Sequence, residues 1–94
     1  MKYFDLLQTA IETFGEEAQT VVAIEELSEL QKELCKFLRG QGNAEHLAEE
    51  MADVQIMFDQ LEIMHGNRGS VASWQTLKTM RLAEQIEKAR RGNG

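Results

Sequence analysis

Apolar residues recur every three or four positions along nearly the whole chain, the period of a helix with one covered side rather than the alternation of a strand. Phe4, Leu7, Ile11 and Phe14 predict a first helix over Tyr3 to Phe14, closed by Gly15. A second begins near Glu16, where two acids suit the positive end of the helix dipole, and carries the stripe Ala23, Leu27, Leu30, Leu34 and Leu38. Asn43 is a favourable N-cap for a third helix over Ala44 to His65, whose stripe is Leu47, Met51, Val54, Phe58, Leu61 and His65. Gly66 ends it, Gly66-Asn67-Arg68-Gly69 reads as a loop, and Ser70 can cap a fourth helix running to about Ala89, with a frayed tail from Arg91 to Gly94. Each stripe is expected to face the core.

The polar positions are patterned too. Glu26, Glu29 and Glu33 share a face of the second helix, roughly 100° to 160° from its apolar stripe. On the third helix His46, Glu50, Asp53 and Met57 follow one edge of the stripe. Glu26-x-x-Glu29 and Glu50-x-x-Asp53 each aim two carboxylates in one direction, because residues three apart lie about a turn from each other. The glycines of Arg39-Gly40-Gln41-Gly42-Asn43 permit a tight helix-to-helix turn. Folding there sets Glu26 level with Asp53 and Glu29 level with Glu50, both pairs having positions that sum to 79. Four carboxylates should converge.

Composition narrows the class. The chain has 94 residues, 43% of them apolar, and no proline, which suits a single small all-α domain over residues 1–94. Four short helices of this size hide their apolar surface more fully by pairing with a second copy, so a homo-oligomer, dimer or tetramer, is expected. The net charge of −6 opposes binding to nucleic-acid backbones or anionic membranes. No stretch approaches the roughly 18 apolar residues of a membrane span, and the first residues lack the pattern of a signal peptide, giving a cytoplasmic expectation. Cys35 has no cysteine partner within the chain, and beside Leu34 and Phe37 it reads as a small buried hydrophobe.

An oxygen-only donor set at one end of a helix pair is what a hard dication prefers, Mg²⁺ above all with Mn²⁺ as a substitute. A di-iron bundle would carry Glu-x-x-His, whereas each glutamate here is followed three residues later by Glu or Asp. His46 reads as a solvated first-turn residue and His65 as a helix C-terminal residue favoured there by the dipole, neither as a ligand.

The run Ile24-Glu25-Glu26-Leu27-Ser28-Glu29-Leu30, followed after an interval by Glu50-Met51-Ala52-Asp53-Val54, resembles the ExxE…ExxD signature of the all-α, MazG-like nucleoside triphosphate pyrophosphohydrolases. Gln19 upstream and Lys78 to Ile86 downstream extend the resemblance over roughly residues 16–88, to small stand-alone bacterial and phage members. It implies a four-helix bundle of that type, with Glu26, Glu29, Glu50 and Asp53 holding Mg²⁺ against a triphosphate and Lys78 and Arg81 meeting phosphate oxygens. The chain departs from the common pattern in having Ser28 and Ala52 where many members have glycine, and Gln85 where an arginine often stands.

The reaction that the resemblance implies converts a (d)NTP and water to a (d)NMP and pyrophosphate, as in housecleaning of the nucleotide pool. Dications are needed because an acidic pocket repels a polyanionic substrate; they neutralise both and make water a better nucleophile. Glu26, with Glu25 in reserve, is the expected proton acceptor. Two other readings account for the same acids: a non-catalytic helical interaction module whose acidic face takes a basic partner, and a bundle that binds a divalent metal without turnover.

Overall fold

The computed structural model describes residues 1–92, and these form four helices without a strand: α1 (Tyr3–Phe14), α2 (Glu16–Leu38), α3 (Ala44–His65) and α4 (Arg68–Gly92). The expected boundaries of the first three hold, for the local reasons foreseen. Gly15 serves two helices at once: its N–H donates to the Ile11 carbonyl at 2.8 Å, and its carbonyl accepts from the Gln19 N–H at 3.1 Å. Its φ of 94° with ψ of 151° is a conformation that a Cβ makes costly, so a glycine marks the corner. Asn43 caps α3, its side-chain oxygen accepting from the His46 N–H at 3.1 Å.

The fourth helix starts earlier and runs further than its pattern suggested. The Val71 N–H donates to the Asn67 carbonyl at 2.9 Å, which puts Asn67, not Ser70, at the start and leaves Gly69 and Ser70 inside the first turn. At the other end Arg91 and Gly92 are helical, while Asn93 and Gly94 lie outside the described residues.

Helices α2 and α3 form the main hairpin, and α1 lies against both. The Gln19 amide donates to the Gln60 side-chain oxygen at 2.7 Å, a buried pair whose positions again sum to 79, so the hairpin has the expected register. Tyr3 pins α1 to α3 by donating its hydroxyl to Asp59 Oδ2 at 2.6 Å. The core proper is small: Leu7 and Ile11 of α1, Ala23 of α2 and Met57 of α3.

The rotation of the helices differs from the expectation. The covered face of α2 carries Gln19, Ala23, Glu26, Leu30 and Glu33, and that of α3 carries Glu50, Asp53, Val54, Met57 and Gln60. The leucines Leu27, Leu34 and Leu38 of the predicted stripe face outward, Leu38 being 90% exposed, and Met51 and Phe58 of α3 are also exposed. The acidic row does not flank the seam; it lines it. Cys35 is exposed with these leucines rather than buried. Polarity gives the period of a helix face, but it cannot say which of two adjacent faces meets the neighbouring helix.

Helix α4 is not packed along the other three. Val71 is half-covered, the Arg68 guanidinium lies 5.4 Å from the centre of the Phe4 ring, and the helix beyond projects with Trp74, Leu77, Met80, Leu82 and Ile86 exposed. The molecule therefore measures 55 × 36 × 23 Å, with a radius of gyration of 17.2 Å. A compact chain of this length would have about 12 Å.

Candidate functional site

The site lies midway along the α2–α3 seam. Glu26 comes from α2, and Glu50 and Asp53 come from successive turns of α3, each half-buried. One carboxylate oxygen from each of the three lies within 4.8 Å of the others. Regular helix explains the convergence: three residues advance about 300° and 4.5 Å, so Glu50 and Asp53 project together onto the neighbour. The register fixed by the turn at residues 39–43 places Glu26 opposite. Gly40 takes a φ of +73° there, and Gly42 sits so close to the Phe37 ring that a Cβ would run into it.

Like charges at this spacing oppose ionisation. The Glu26 carboxyl is held above the usual carboxylate range first by loss of water, then by the charge and hydrogen bonding of Asp53, and further by Glu50 and Glu29. Glu50 is raised for the same leading reason, then by Asp53, Glu29, Glu49 and Glu33. Glu50 Oε2 is moreover sealed from solvent without a hydrogen-bond partner. A cluster so short of counter-charge suits a hard cation: three oxygens from carboxylates, close enough to converge on one ion, leave room for water or phosphate oxygens in its remaining positions.

The other expected residues are placed less centrally. Glu29 is exposed and falls outside the three-oxygen group, although its charge is felt by both Glu26 and Glu50. Glu25 is exposed on α2. Lys78 belongs to an open cleft at the α3–α4 elbow, lined also by Phe58, Trp74 and Leu82, and that cleft includes none of the clustered acids. Arg81 is exposed further along the projecting helix. Within one chain, then, the basic pair stands apart from the acids. His46 is exposed in the first turn of α3 and His65 in its last, as expected.

Sequence reasoning set Glu33 on the face of Glu26 and Glu29 but left it out of the site. Glu33 is 7% exposed, and its Oε2, like that of Glu50, is sealed and without a hydrogen-bond partner. Lys36 Nζ reaches only its Oε1, at 3.2 Å. The signal was present in the seven-residue interval from Glu26, which returns to the same face two turns later.

Among the described residues no helix is long and apolar enough to cross a membrane. Compared with protein-family models, characterised proteins and solved structures, the chain matches none.

Proposed function

We propose that the protein is a Mg²⁺-dependent nucleoside triphosphate pyrophosphohydrolase of the all-α, MazG-like kind, working as a homo-oligomer. The observation that carries this reading is the seam itself. Three carboxylates, drawn from two helices with oxygens close together, occupy the covered face of a helix hairpin while Leu27, Leu34 and Leu38 stand outside. Folding for stability alone favours the reverse arrangement.

Glu26, Glu50 and Asp53 would hold the cation, with the exposed Glu29 as the fourth ligand that the resemblance implies. A divalent cation held by these carboxylates would supply charge neutralisation for a triphosphate and a more acidic water. Glu26, with Glu25 in reserve, is the proton acceptor of this reading. Lys78 and Arg81 supply the phosphate contacts. Because α4 carries them away from the acids of its own chain, a second copy brings them to the seam, and the same association covers the outward leucines of α2 and the apolar residues of α4.

Incubation of the purified protein with Mg²⁺ and a panel of common and modified NTPs and dNTPs tests the reaction. The expected products are a nucleoside monophosphate and pyrophosphate, lost in Glu50→Gln and Asp53→Asn. Orthophosphate with a nucleoside diphosphate would refute the reaction. Metal binding without turnover on any substrate would leave a metal-binding bundle, and indifference to Mg²⁺ would leave an acidic interaction module.

A further inference from the structure

Helix α2 has a second patterned face, to one side of its seam with α3. Ile24, Leu27, Gln31, Leu34 and Leu38 recur at intervals of three and four, the a and d spacing of a coiled coil, and Thr20 begins the series. The four aliphatic members are each at least 48% exposed, Leu38 reaching 90%. Charges usually flank such a series. Here the flanks are Val21, Ser28 and Cys35 on one side and Ala23, Leu30 and Phe37 on the other, so from Thr20 to Leu38 more than half of the helix circumference carries no charge. Two copies of a chain with net charge −6 repel, and like charges set opposite each other make a contact costly. A long uncharged band is where such copies can meet. The series is also its own complement. Positions 20, 24, 27, 31, 34 and 38 exchange with one another about position 29, so an antiparallel second copy sets Ile24 against Leu34, Leu27 against Gln31 and Thr20 against Leu38. In that register Gln31 falls beside Ser28 of the second copy, a partner for its amide, and the outer flank pairs opposite signs, Glu25 nearly level with Lys32 and Glu17 with Arg39.

We propose that this face of α2 is where two copies of the chain pair, as an antiparallel coiled coil centred on position 29. The pairing rests on the homo-oligomer proposed above and specifies its contact surface. A second copy matches both the spacing and the flanking charges about one point by symmetry alone. Such a contact is isologous and closes on itself, and it brings Cys35, exposed in the single chain, under α2 of the second copy.

Light scattering on the whole protein, together with the rate at which Cys35 reacts with Ellman's reagent, reads the contact. Leu27→Glu should lower the mass and speed the thiol reaction by at least about tenfold, because the chain's only cysteine is then uncovered. Gln31→Leu should act in the opposite sense and hold the copies together at lower protein concentration, since a polar residue at an a position costs stability. Orientation is read with a short bis-maleimide. Ser28→Cys in a Cys35→Ser background sets the two thiols near the two-fold axis and should give a covalent dimer, whereas the wild-type thiols lie roughly 18 Å apart along α2 and should not link. The α2 contact is overturned, with the homo-oligomer left standing on α4, if Leu27→Glu leaves mass and thiol rate unchanged while Met80→Glu dissociates the copies. Gln31→Leu without effect on association overturns it even where Leu27→Glu fails to fold. Linking through Cys35 but not through Ser28→Cys overturns the antiparallel register. A monomeric wild type overturns the contact and the homo-oligomer together.

Discussion

At the scale of single residues the seam is held by polar groups that depend on their partners. Gln19 and Gln60 are both buried, and each completes the other. Gln60→Leu alone should therefore cost about 1–3 kcal/mol in urea unfolding, because the Gln19 amide is left without a partner; replacing both with leucine should recover much of that loss. The carboxylates behave in the opposite sense. Glu26 and Glu50 have proton affinities raised by the fold, so the folded form binds protons more tightly than the unfolded chain. Their ionisation destabilises the metal-free protein fully above their raised values, and the effect vanishes once pH falls below the ordinary carboxylate value of 4.5. The melting temperature of the wild type in EDTA, compared with that of Glu26→Gln, should accordingly rise as pH is lowered from neutral towards that value. At neutral pH, Glu26→Gln and Glu50→Gln should melt a few degrees higher than wild type in EDTA and gain less from Mg²⁺. A lower melting temperature for both, with wild type indifferent to Mg²⁺, would mean that the acids are ordinary hydrogen-bonded surface groups.

At the scale of elements the corners set the register, and through it the site. Gly15 occupies backbone geometry that is nearly reserved for glycine, so Gly15→Ala should cost about 1–3 kcal/mol. Gly42 is constrained differently, by what stands beside it. A Cβ there meets the Phe37 ring near its root, where the side chain has least freedom to move away. Gly42→Ala should destabilise the hairpin, and Phe37→Ala should relieve part of that cost in a double-mutant cycle. Additive effects would show that the turn and the ring do not meet. Helix α2 also shows how little an amphipathic pattern says about rotation. Its leucines and its acids both recur at helical spacing, and α3 packs on the acids.

The whole molecule, as one chain, leaves its apolar surface unfinished. Trp74 is 55% exposed, and Leu34, Leu38, Leu77 and Met80 stand in solvent with it. Isolated apolar residues on a surface are ordinary, but rows of them along two helices are what the proposed association would cover. Light scattering at micromolar concentration should therefore give a dimer or larger mass, and Trp74 fluorescence should be blue-shifted until dilution or mild urea separates the copies. Leu34→Glu with Met80→Glu should shift the mass towards the monomer and remove hydrolysis with it. A fully active monomer would mean that Lys78 and Arg81 reach the acids without a second copy.

The sequence by itself determined the first three helices, their corners and the level at which α2 meets α3. Period, caps and glycines act over a few residues, and the turn at residues 39–43 leaves one short route back. That was enough to place Glu26 across from Asp53, and it is why the centre of the site was legible. Tertiary structure alone decided which side of each helix turns inward, and so buried Glu33, exposed Cys35 and left Glu29 at the margin. It also decided that α4 should project, taking Lys78 and Arg81 away from the carboxylates of the same chain. Both outcomes depend on what each face finds to pack against, and that is a property of several helices together.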